Sequence, residues 1–475
     1  MLPYTLAEVA QACGGVLENG DPGRIVQAVS IDSRSVQPED LFIGIRGEHF
    51  DGDAYASDAL RAGAAAVVVG PQTTRNLAAG SARIVVDDGL RALQALAASV
   101  RRRSGVRVVA ITGSVGKTAT KDILAALLHP VARIVATPGN LNNEIGLPLT
   151  LLSIKRDTEV VVAELAMRAP GQIRHLARIT RPDVAVITNV APVHLELLGS
   201  VEEVARAKAE LIEELGEGSL VVPADKPLLA PYVAQHRGRI VTFGIESGGV
   251  CAPSFEARQG GTHALIDALG RRAAFDFSFT GEHYLTDALA AIGALIEVGY
   301  SLEQGKLGAG AIEFSELRGE VTDLPARGLL LNDCYNANPV SMRAALDHLA
   351  LLDEGRPQVA ILGDMYELGP GWPGFHRGVG QYAAAQDVRV VAIGDLAREY
   401  LVGAPGETWF GTVDECLAAL PDLVEAGDAV LVKASRALRL ERVADVLLGR
   451  QRVSASVVVE ADAGQSADEG GGAGV

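Results

Sequence analysis

Between residues 106 and 436 the chain returns repeatedly to one pattern: a short run of Val, Ile, Leu and Ala, a turn, then a longer helical stretch. VRVVAIT (106–112), EVVVAEL (159–165), DVAVITNV (183–190) and SLVVPAD (219–225) open it. GLLLNDCYN (328–336), PQVAILGDM (357–365), VRVVAIG (388–394) and DAVLVKASR (428–436) repeat it. Near-continuous apolar runs belong to strands buried on both faces, and strands alternating with helices build an open, mostly parallel sheet. The expected fold class is therefore α/β: a central, mostly parallel sheet domain followed by a smaller doubly wound one. The stretch RRAAFDFSFTG (271–281) reads instead as an antiparallel hairpin arm on the central sheet. Helices are expected over 118–132, 200–215, 284–298, 339–352, 374–386, 414–420 and 438–448.

The segment before residue 104 is smaller and mixed. It reads as a short amphipathic helix over 4–16, strands and turns over 25–47, a helix over 53–63, the buried strand AAAVVVG (64–70) and a helix over 88–103. That helix ends in Arg101-Arg102-Arg103, cations suited to a helix C-terminus. The expected domains are 1–103, 104–319 and 320–450, and 475 residues suit about three domains. Residues 451–475 are rich in Gly, Ala, Ser and acid, cannot bury a core, and are expected to be disordered.

A net charge of −17 argues against a protein that coats nucleic acid or sits on anionic membranes by bulk charge. Four scattered Cys give no zinc or disulfide framework, and the apolar runs are too short to span a bilayer. The N-terminal MLPYTLAEVAQACGG lacks the pattern of a signal peptide. We expect a soluble cytoplasmic monomer that neither binds nucleic acid nor inserts into membranes.

The strongest local signal is VVAITGSVGKTAT (108–120), a buried strand running through a Gly-rich turn into a helix. Glycines let several N–H groups of Thr112, Gly113, Ser114, Val115, Gly116, Lys117, Thr118 and Ala119 converge on one anion, and the helix N-terminus adds partial positive charge. Only seven of the 42 basic residues are Lys, so Lys117 in this turn stands out. Its ammonium reaches β- and γ-phosphates, and the Thr118 hydroxyl suits Mg²⁺. The leading Gly lies three residues before Gly116, a shortened form found in a narrower set of ATPases. Glu164, ending its strand, is placed as a second hard oxygen ligand; the alternative is a carboxylate facing solvent. His194 follows DVAVITNV and is either a loop residue or a ligand.

These motifs together resemble the Mur ligase family of ATP-dependent amide-forming enzymes. The likeness covers about residues 25–450 and rests on ITGSVGKT (111–118), GNLNNEIGLPLTLL (139–152), AELAMRAPGQI (163–173), TNVAPVHLELLGS (188–200), ARAKAEL (205–211), NDCYNANPVSM (332–342), GDMYELG (363–369) and LVKASR (431–436). It implies an N-terminal domain binding a UDP-sugar, a central P-loop-type domain binding ATP, and a Rossmann-like C-terminal domain that closes over the site. GNLNNEIG-P, YNANP and GDM-ELG point to a member joining UDP-N-acetylmuramoyl-tripeptide to D-alanyl-D-alanine, with ATP converted to ADP and phosphate.

The resemblance also implies roles. His194 matches the second metal or phosphate-contact position, and Lys208 a lysine that several members carry as a carbamate on the second Mg²⁺. Read without the resemblance, Lys208 is an exposed helix lysine. Asn140, Asn142 and Asn143 match the tripeptide side, or else are turn residues. Ser33, Arg34, Arg46 and Gly47 match loops for the uracil and diphosphate, or else surface turns. Asp333, Asn336 and Arg318 match nucleotide contacts. Asn338, Asp364, Glu367, His376, Lys433, Ser435 and Arg436 match the region facing D-alanyl-D-alanine, with Lys433 and Arg436 suited to its carboxylate.

Four positions depart from the pattern. The adenine-side stretch usually reads G-x-H-N-x-x-N, but here His283 is followed by Tyr284, and Asp287 replaces the second Asn. Tyr284 suits stacking on adenine instead. Ala434 replaces a common Gly, and Asp53 replaces a His. The competing readings are a sister amide ligase, including one that extends a folate polyglutamate, and a nucleotide-binding partner subunit that hydrolyses ATP poorly.

Overall fold

The computed structural model describes residues 1–47, 50–225, 227–258, 260–325, 328–352, 355–402 and 408–450. The expectation for the 451–475 tail lies outside these residues. Three main sheets follow one another along the chain. The first has five strands in the order Val16–Glu18, Arg83–Val85, Ala66–Val69, Leu41–Ile43, Val29–Ser30; only Val16–Glu18, at its edge, runs antiparallel.

The second sheet has nine strands. Arg107–Thr112 lies between Val160–Glu164 and Val184–Ile187, parallel to both. Parallel pairing continues out to Ile134–Ala136 on one side and through Ser219–Pro223 and Ile240–Phe243 to Val250–Arg258 on the other. There Gly261–Ala268 and Arg271–Phe277 add the expected antiparallel arm. Val108, Val109, Ala110 and Ile111 are all buried, as a strand covered on both faces requires. The third sheet has six strands, parallel except for Glu320–Asp323 at its edge.

The N-terminal and central regions share a core. Leu93, Leu96 and Val100 of helix Gly89–Arg103 join one hydrophobic cluster with Leu147, Leu151 and Leu176. Arg101, expected only to complement its own helix end, reaches across this seam. Its guanidinium donates to the carbonyls of Thr180 (2.9 Å) and Arg181 (2.8 Å) and to Asp183 (2.9 Å).

Several helices differ from expectation in their bounds. The first is Leu6–Cys13, started by a Thr5–Glu8 capping box and ended by Gly14 in the left-handed region. The stretch expected helical over 53–63 splits into a 3₁₀ turn, Gly52–Tyr55, and helix Ala56–Arg61. The last helix is Glu441–Leu447, preceded by a 3₁₀ turn at Arg436–Leu438. The longest of the helices outside the expected stretches are Gly146–Leu152 and Gln172–Thr180; Leu195–Leu198, Ala230–Val233 and Leu302–Lys306 are shorter. In the first, Pro148 sits in the opening turn, where a missing N–H costs nothing. All four cysteines are free thiols. Among the described residues no helix is long and apolar enough to cross a membrane.

Candidate active site

Strand Arg107–Thr112 delivers the Gly-rich turn to the carboxyl edge of the central sheet, and helix Lys117–Leu128 leaves it. The two glycines are sterically required. A Cβ on Gly113 would lie 1.8 Å from Thr188 Oγ1, and one on Gly116, whose φ is +82°, would lie 2.2 Å from Asp287 Oδ1. Lys117 Nζ donates to the Gly113 carbonyl (2.9 Å), folding its side chain back over the turn. Burial lowers the Lys117 pKa; Glu164 opposes the shift and Arg318 adds to it. Thr112 is buried and its hydroxyl donates to the Leu165 carbonyl (3.0 Å), a structural bond. Ala119 is buried in the first helical turn.

Asn189 was not singled out in the sequence, yet it shapes this turn. Its Oδ1 accepts from the N–H groups of Ser114 (3.1 Å) and Val115 (2.9 Å). Ser114 Oγ in turn donates to the Ala191 carbonyl (3.1 Å). Two amides expected to face phosphate are therefore bonded to protein. The N–H groups opening helix Lys117–Leu128 have no intrahelical partner and are the ones left for an anion.

Next to the turn, Thr118 Oγ1 donates to Glu164 Oε2 (2.9 Å), and Asn142 Nδ2 donates to Glu164 Oε1 (2.8 Å). Thr137 was also missed: its Oγ1 accepts from the Glu164 N–H (3.0 Å), and its carbonyl accepts from buried Lys121 Nζ (3.0 Å). Lys208 is buried in helix Val201–Leu215, not exposed as the helix pattern alone reads. No hydrogen bond or ion pair reaches its ammonium among the described residues, and burial, reinforced by Lys117, drives its pKa well below the ordinary lysine value. A hydroxyl and one carboxylate suit Mg²⁺, which takes few protein oxygens and shares phosphate oxygens and water. Among the described residues no three His, Cys, Asp or Glu converge as a metal cage.

The adenine-side stretch does not match its expectation for stacking. The Tyr284 ring stacks on Phe314 (4.2 Å between centroids) and packs against His283 (4.0 Å), and its OH donates to the Arg318 carbonyl (3.4 Å). The ring is buried and already covered, so it offers no free face to a base. Asp287 lies against Gly116, and burial pushes its carboxyl well above the usual range. The Arg318 guanidinium sits 3.9 Å over the Tyr335 ring.

In the C-terminal domain two expectations are corrected. His376 was expected near the dipeptide, but it is fully enclosed: Nδ1 donates to the Trp372 carbonyl (2.8 Å) and Nε2 accepts from the Met365 N–H (3.0 Å). Both ring nitrogens are used by the fold. Lys433 was expected to meet a substrate carboxylate. It is 2% exposed and its ammonium is held by the Asp333 carboxylate, the Asp333 carbonyl (3.2 Å) and the Asn336 carbonyl (2.9 Å). Asn338 Oδ1 caps helix Pro339–Leu352, accepting from the N–H groups of Val340 (3.1 Å) and Ser341 (2.9 Å).

Asp364 is buried, accepts from the Ala397 N–H (2.6 Å) and the Tyr366 OH (3.2 Å), and has its pKa raised by burial. Ser435 Oγ accepts from the Tyr366 N–H (3.0 Å), and Arg436 pairs with Glu441 (2.6 Å). Glu367 meets His194 across the domain seam.

The N-terminal candidates lie apart from this cluster. Arg34 pairs with Asp32 (2.7 Å), and Ser33 stands between them in the chain. Arg46 pairs with Asp51 (2.9 Å), and the Gly47 N–H donates to the Phe50 carbonyl (2.9 Å). Arg46, Asp51 and Asp53 border a cavity of about 310 Å³ with Gln72, Thr73 and Asn76. Asp53 is buried and accepts from the Gly70 N–H (2.9 Å) and the Thr73 OH (3.0 Å). Asn140 is exposed, and Asn143 Oδ1 accepts from the Ile145 (3.1 Å) and Gly146 (2.9 Å) N–H groups, ordering the entry to helix Gly146–Leu152.

Comparison with known proteins covers 94% of the chain. Residues 25–101 match the description "Mur ligase family, catalytic domain", residues 111–295 the Mur ligase middle domain, and residues 317–436 "Mur ligase, glutamate ligase domain". The UDP-N-acetylmuramoyl-tripeptide–D-alanyl-D-alanine ligase of Bacillus subtilis is 34% identical over 459 residues, spanning 94% of this chain and 99% of that one. Its Mycobacterium tuberculosis counterpart is 33% identical, spanning 94% and 98%. The crystal structure of MurF from Acinetobacter baumannii superposes with a TM-score of 0.86 at 30% identity, over 94% of this chain and 99% of that one. That of the MurF ligase from Thermotoga maritima in complex with ADP gives 0.78 at 29% identity, over 89% and 97%.

Proposed function

The chain belongs to the Mur ligase family, and from that premise we propose that it joins D-alanyl-D-alanine to the carboxylate of UDP-N-acetylmuramoyl-tripeptide. The products are UDP-N-acetylmuramoyl-pentapeptide, ADP and phosphate, in the synthesis of peptidoglycan precursor. The observation that carries this reading is the cluster of Lys117, Thr118, Glu164 and buried Lys208 around one Gly-rich turn, in a chain aligned over 94% of its length with ligases of that name.

The chemistry explains why such a cluster is needed. A carboxylate is anionic and has no good leaving group, so an amine does not displace its oxygen. Transfer of the ATP γ-phosphoryl group to that oxygen gives an acyl phosphate and ADP. The dipeptide amine then attacks the acyl carbon, phosphate leaves, and the nitrogen loses a proton. Two anions must meet in the first step, so positive charge at the γ position lowers the barrier. Lys117 brings one such charge. Thr118 and Glu164 would hold Mg²⁺, which when bound neutralises phosphoryl oxygens. Asp333, Asn336 and Arg318, the last near enough to Lys117 to lower its pKa, would serve as nucleotide contacts, and Asn142, bonded to Glu164, would face the tripeptide.

Lys208 fits the carbamate reading. Burial drives the Lys208 pKa well below the ordinary lysine value, which favours its unprotonated amine. Such a nitrogen adds to CO₂ and sheds a proton, leaving an anionic oxygen ligand where an unpaired ammonium would be costly. Labelling with ¹³C-bicarbonate should give one carbamate carbon by NMR that Lys208→Ala lacks; a spectrum identical in the two proteins would count against it.

Lys117→Ala tests the assignment of the turn. It should cut acyl-phosphate formation by about 10²-fold or more, with UDP-tripeptide binding nearly intact. Equal loss of both in a folded variant would contradict the assignment. We propose a monomer as the working unit; sedimentation equilibrium decides it. A cytoplasmic location fits a reaction that consumes ATP, and fractionation of cells tests it.

A further inference from the structure

The chain changes domains within a few residues. Phe314 packs against the core of the central sheet, and Leu317 belongs to a core of the C-terminal sheet. The C-terminal side grips Leu317 by its backbone. The Tyr335 N–H donates to the Leu317 carbonyl (3.1 Å), and the Leu317 N–H donates to Glu320 Oε1 (3.0 Å). Leu317 and Gly319 both hold left-handed backbone, at φ 63° and φ 65°, so the chain turns sharply on either side of Arg318.

The central domain holds the other end with two side chains of helix Lys117–Leu128, which leaves the phosphate turn. Asp122 Oδ2 accepts from the Ser315 N–H (2.8 Å). Its other oxygen meets the ammonium of Lys121 (2.9 Å), a side chain only 3% exposed. That ammonium also donates to the Thr137 carbonyl (3.0 Å) and the Ser315 hydroxyl (3.4 Å). A buried ion pair adds little net stability, because desolvation offsets its attraction. What this one adds is a fixed point for the linker.

A second hold comes from helix Glu282–Glu297, which packs along helix Lys117–Leu128. Tyr284 stacks on Phe314, and its OH donates to the Arg318 carbonyl (3.4 Å). A Cβ on Gly319 would lie 2.0 Å from that hydroxyl oxygen, so the linker passes directly against the ring. At the position where the family pattern carries Asn, this chain has a side chain that serves the linker. Arg318 is therefore held from both sides. Its backbone is tied to the central domain, while its guanidinium rests on the Tyr335 ring of the C-terminal one. Its charge is felt at Lys117, which places it near the phosphate turn.

We infer that Asp122 and Tyr284 are positioning residues for Arg318. They fasten the interdomain linker to the two helices beside the phosphate turn, so that an arginine resting on the C-terminal domain stands at a set distance from the nucleotide. This rests on the ATP-binding reading above and adds to it the groups that place one of its cations.

The test uses the full-length protein and two variants that remove the buried charge pair together. In Lys121→Met/Asp122→Asn the side chain at 122 still accepts from the Ser315 N–H; in Lys121→Met/Asp122→Ala it cannot. Calorimetry with Mg²⁺ and a non-hydrolysable ATP analogue should show the second binding about 10-fold more weakly than the first, the loss expected of one charge-assisted hydrogen bond. In an Arg318→Ala background the same two variants should bind within about twofold of each other. A merely structural Asp122 would lower affinity by the same factor with or without Arg318. That result, or equal binding by the two variants when Arg318 is present, would overturn the inference. If the variant with Ala at 122 does not fold, Tyr284→Phe and Tyr284→Leu carry the same comparison, since only Phe keeps a ring on Phe314. Failure of the ligase reading looks different: the unmodified protein would bind the analogue yet release no phosphate with ATP, tripeptide and dipeptide.

Discussion

Lys208 and Asp287 are ionisable groups that no ion pair neutralises among the described residues, and desolvation pushes each toward its neutral form from opposite sides. In its neutral form Asp287 carries one O–H donor and a carbonyl acceptor, close to the Asn that the family pattern carries there, which has one donor more. The substitution therefore changes pH dependence more than hydrogen-bonding capacity. The sign follows from linkage. The folded pKa lies above the ordinary 3.8, so the native protein holds a proton that the unfolded chain releases. Stability from this group is full below about pH 4 and is lost as pH rises toward the folded value. Asp287→Asn should raise the melting temperature more at pH 8 than at pH 4. An equal shift at both would show that Asp287 is ionised in the fold. Neither group's state was legible in the sequence, because burial is not a property of the residue. Lys208 reads as an exposed helix lysine until helix Val201–Leu215 is packed against the sheet.

At the scale of elements, the seam between helix Glu282–Glu297 and helix Pro339–Leu352 carries two histidines, with ring centroids 5.6 Å apart. Thr280 and His348 share a hydrogen bond (2.7 Å), and Lys433 and Asp333 face the pair. Burial lowers His283 to about 4, with Lys433 adding to the shift, and His348 to about 3, with His283 adding and Asp333 opposing. Both are neutral when folded. As pH falls below 6.5, the unfolded chain takes up protons that the folded one refuses, so stability drops until pH reaches the folded values. A tenfold loss of proton affinity on folding corresponds to about 1.4 kcal/mol, so the seam should be the acid-labile part of the molecule. His348→Gln, which keeps a partner for Thr280, should flatten the decline in melting temperature between pH 6.5 and 4. An unchanged slope would place the acid sensitivity elsewhere. Elements themselves were readily legible where a run was apolar throughout, as at Arg107–Thr112. They were misread where cap chemistry decides the start, as at Gly146–Leu152, where Asn143 rather than a hydrophobic period sets the entry.

Across the whole molecule, the phosphate turn and Glu164 were legible because strand–turn–helix order fixes where such residues land, at the carboxyl edge of a parallel sheet. The C-terminal candidates were less so. Lys433, His376 and Asn338 fall in the right loops but turn inward, to Asp333, to Met365 and Trp372, and to a helix N-terminus. Motif position gives the loop; which way a side chain turns depends on partners from other elements. The same dependence links the domains, through Arg318 on Tyr335 and His194 on Glu367. The decisive measurement is phosphate release with Mg-ATP and UDP-N-acetylmuramoyl-tripeptide, with and without D-alanyl-D-alanine, with the product weighed by mass spectrometry. A dipeptide-joining ligase should release phosphate only when the dipeptide is present, and yield a UDP-linked pentapeptide. Release with a different amino acid and not with the dipeptide, or silence with every acceptor, would contradict that assignment.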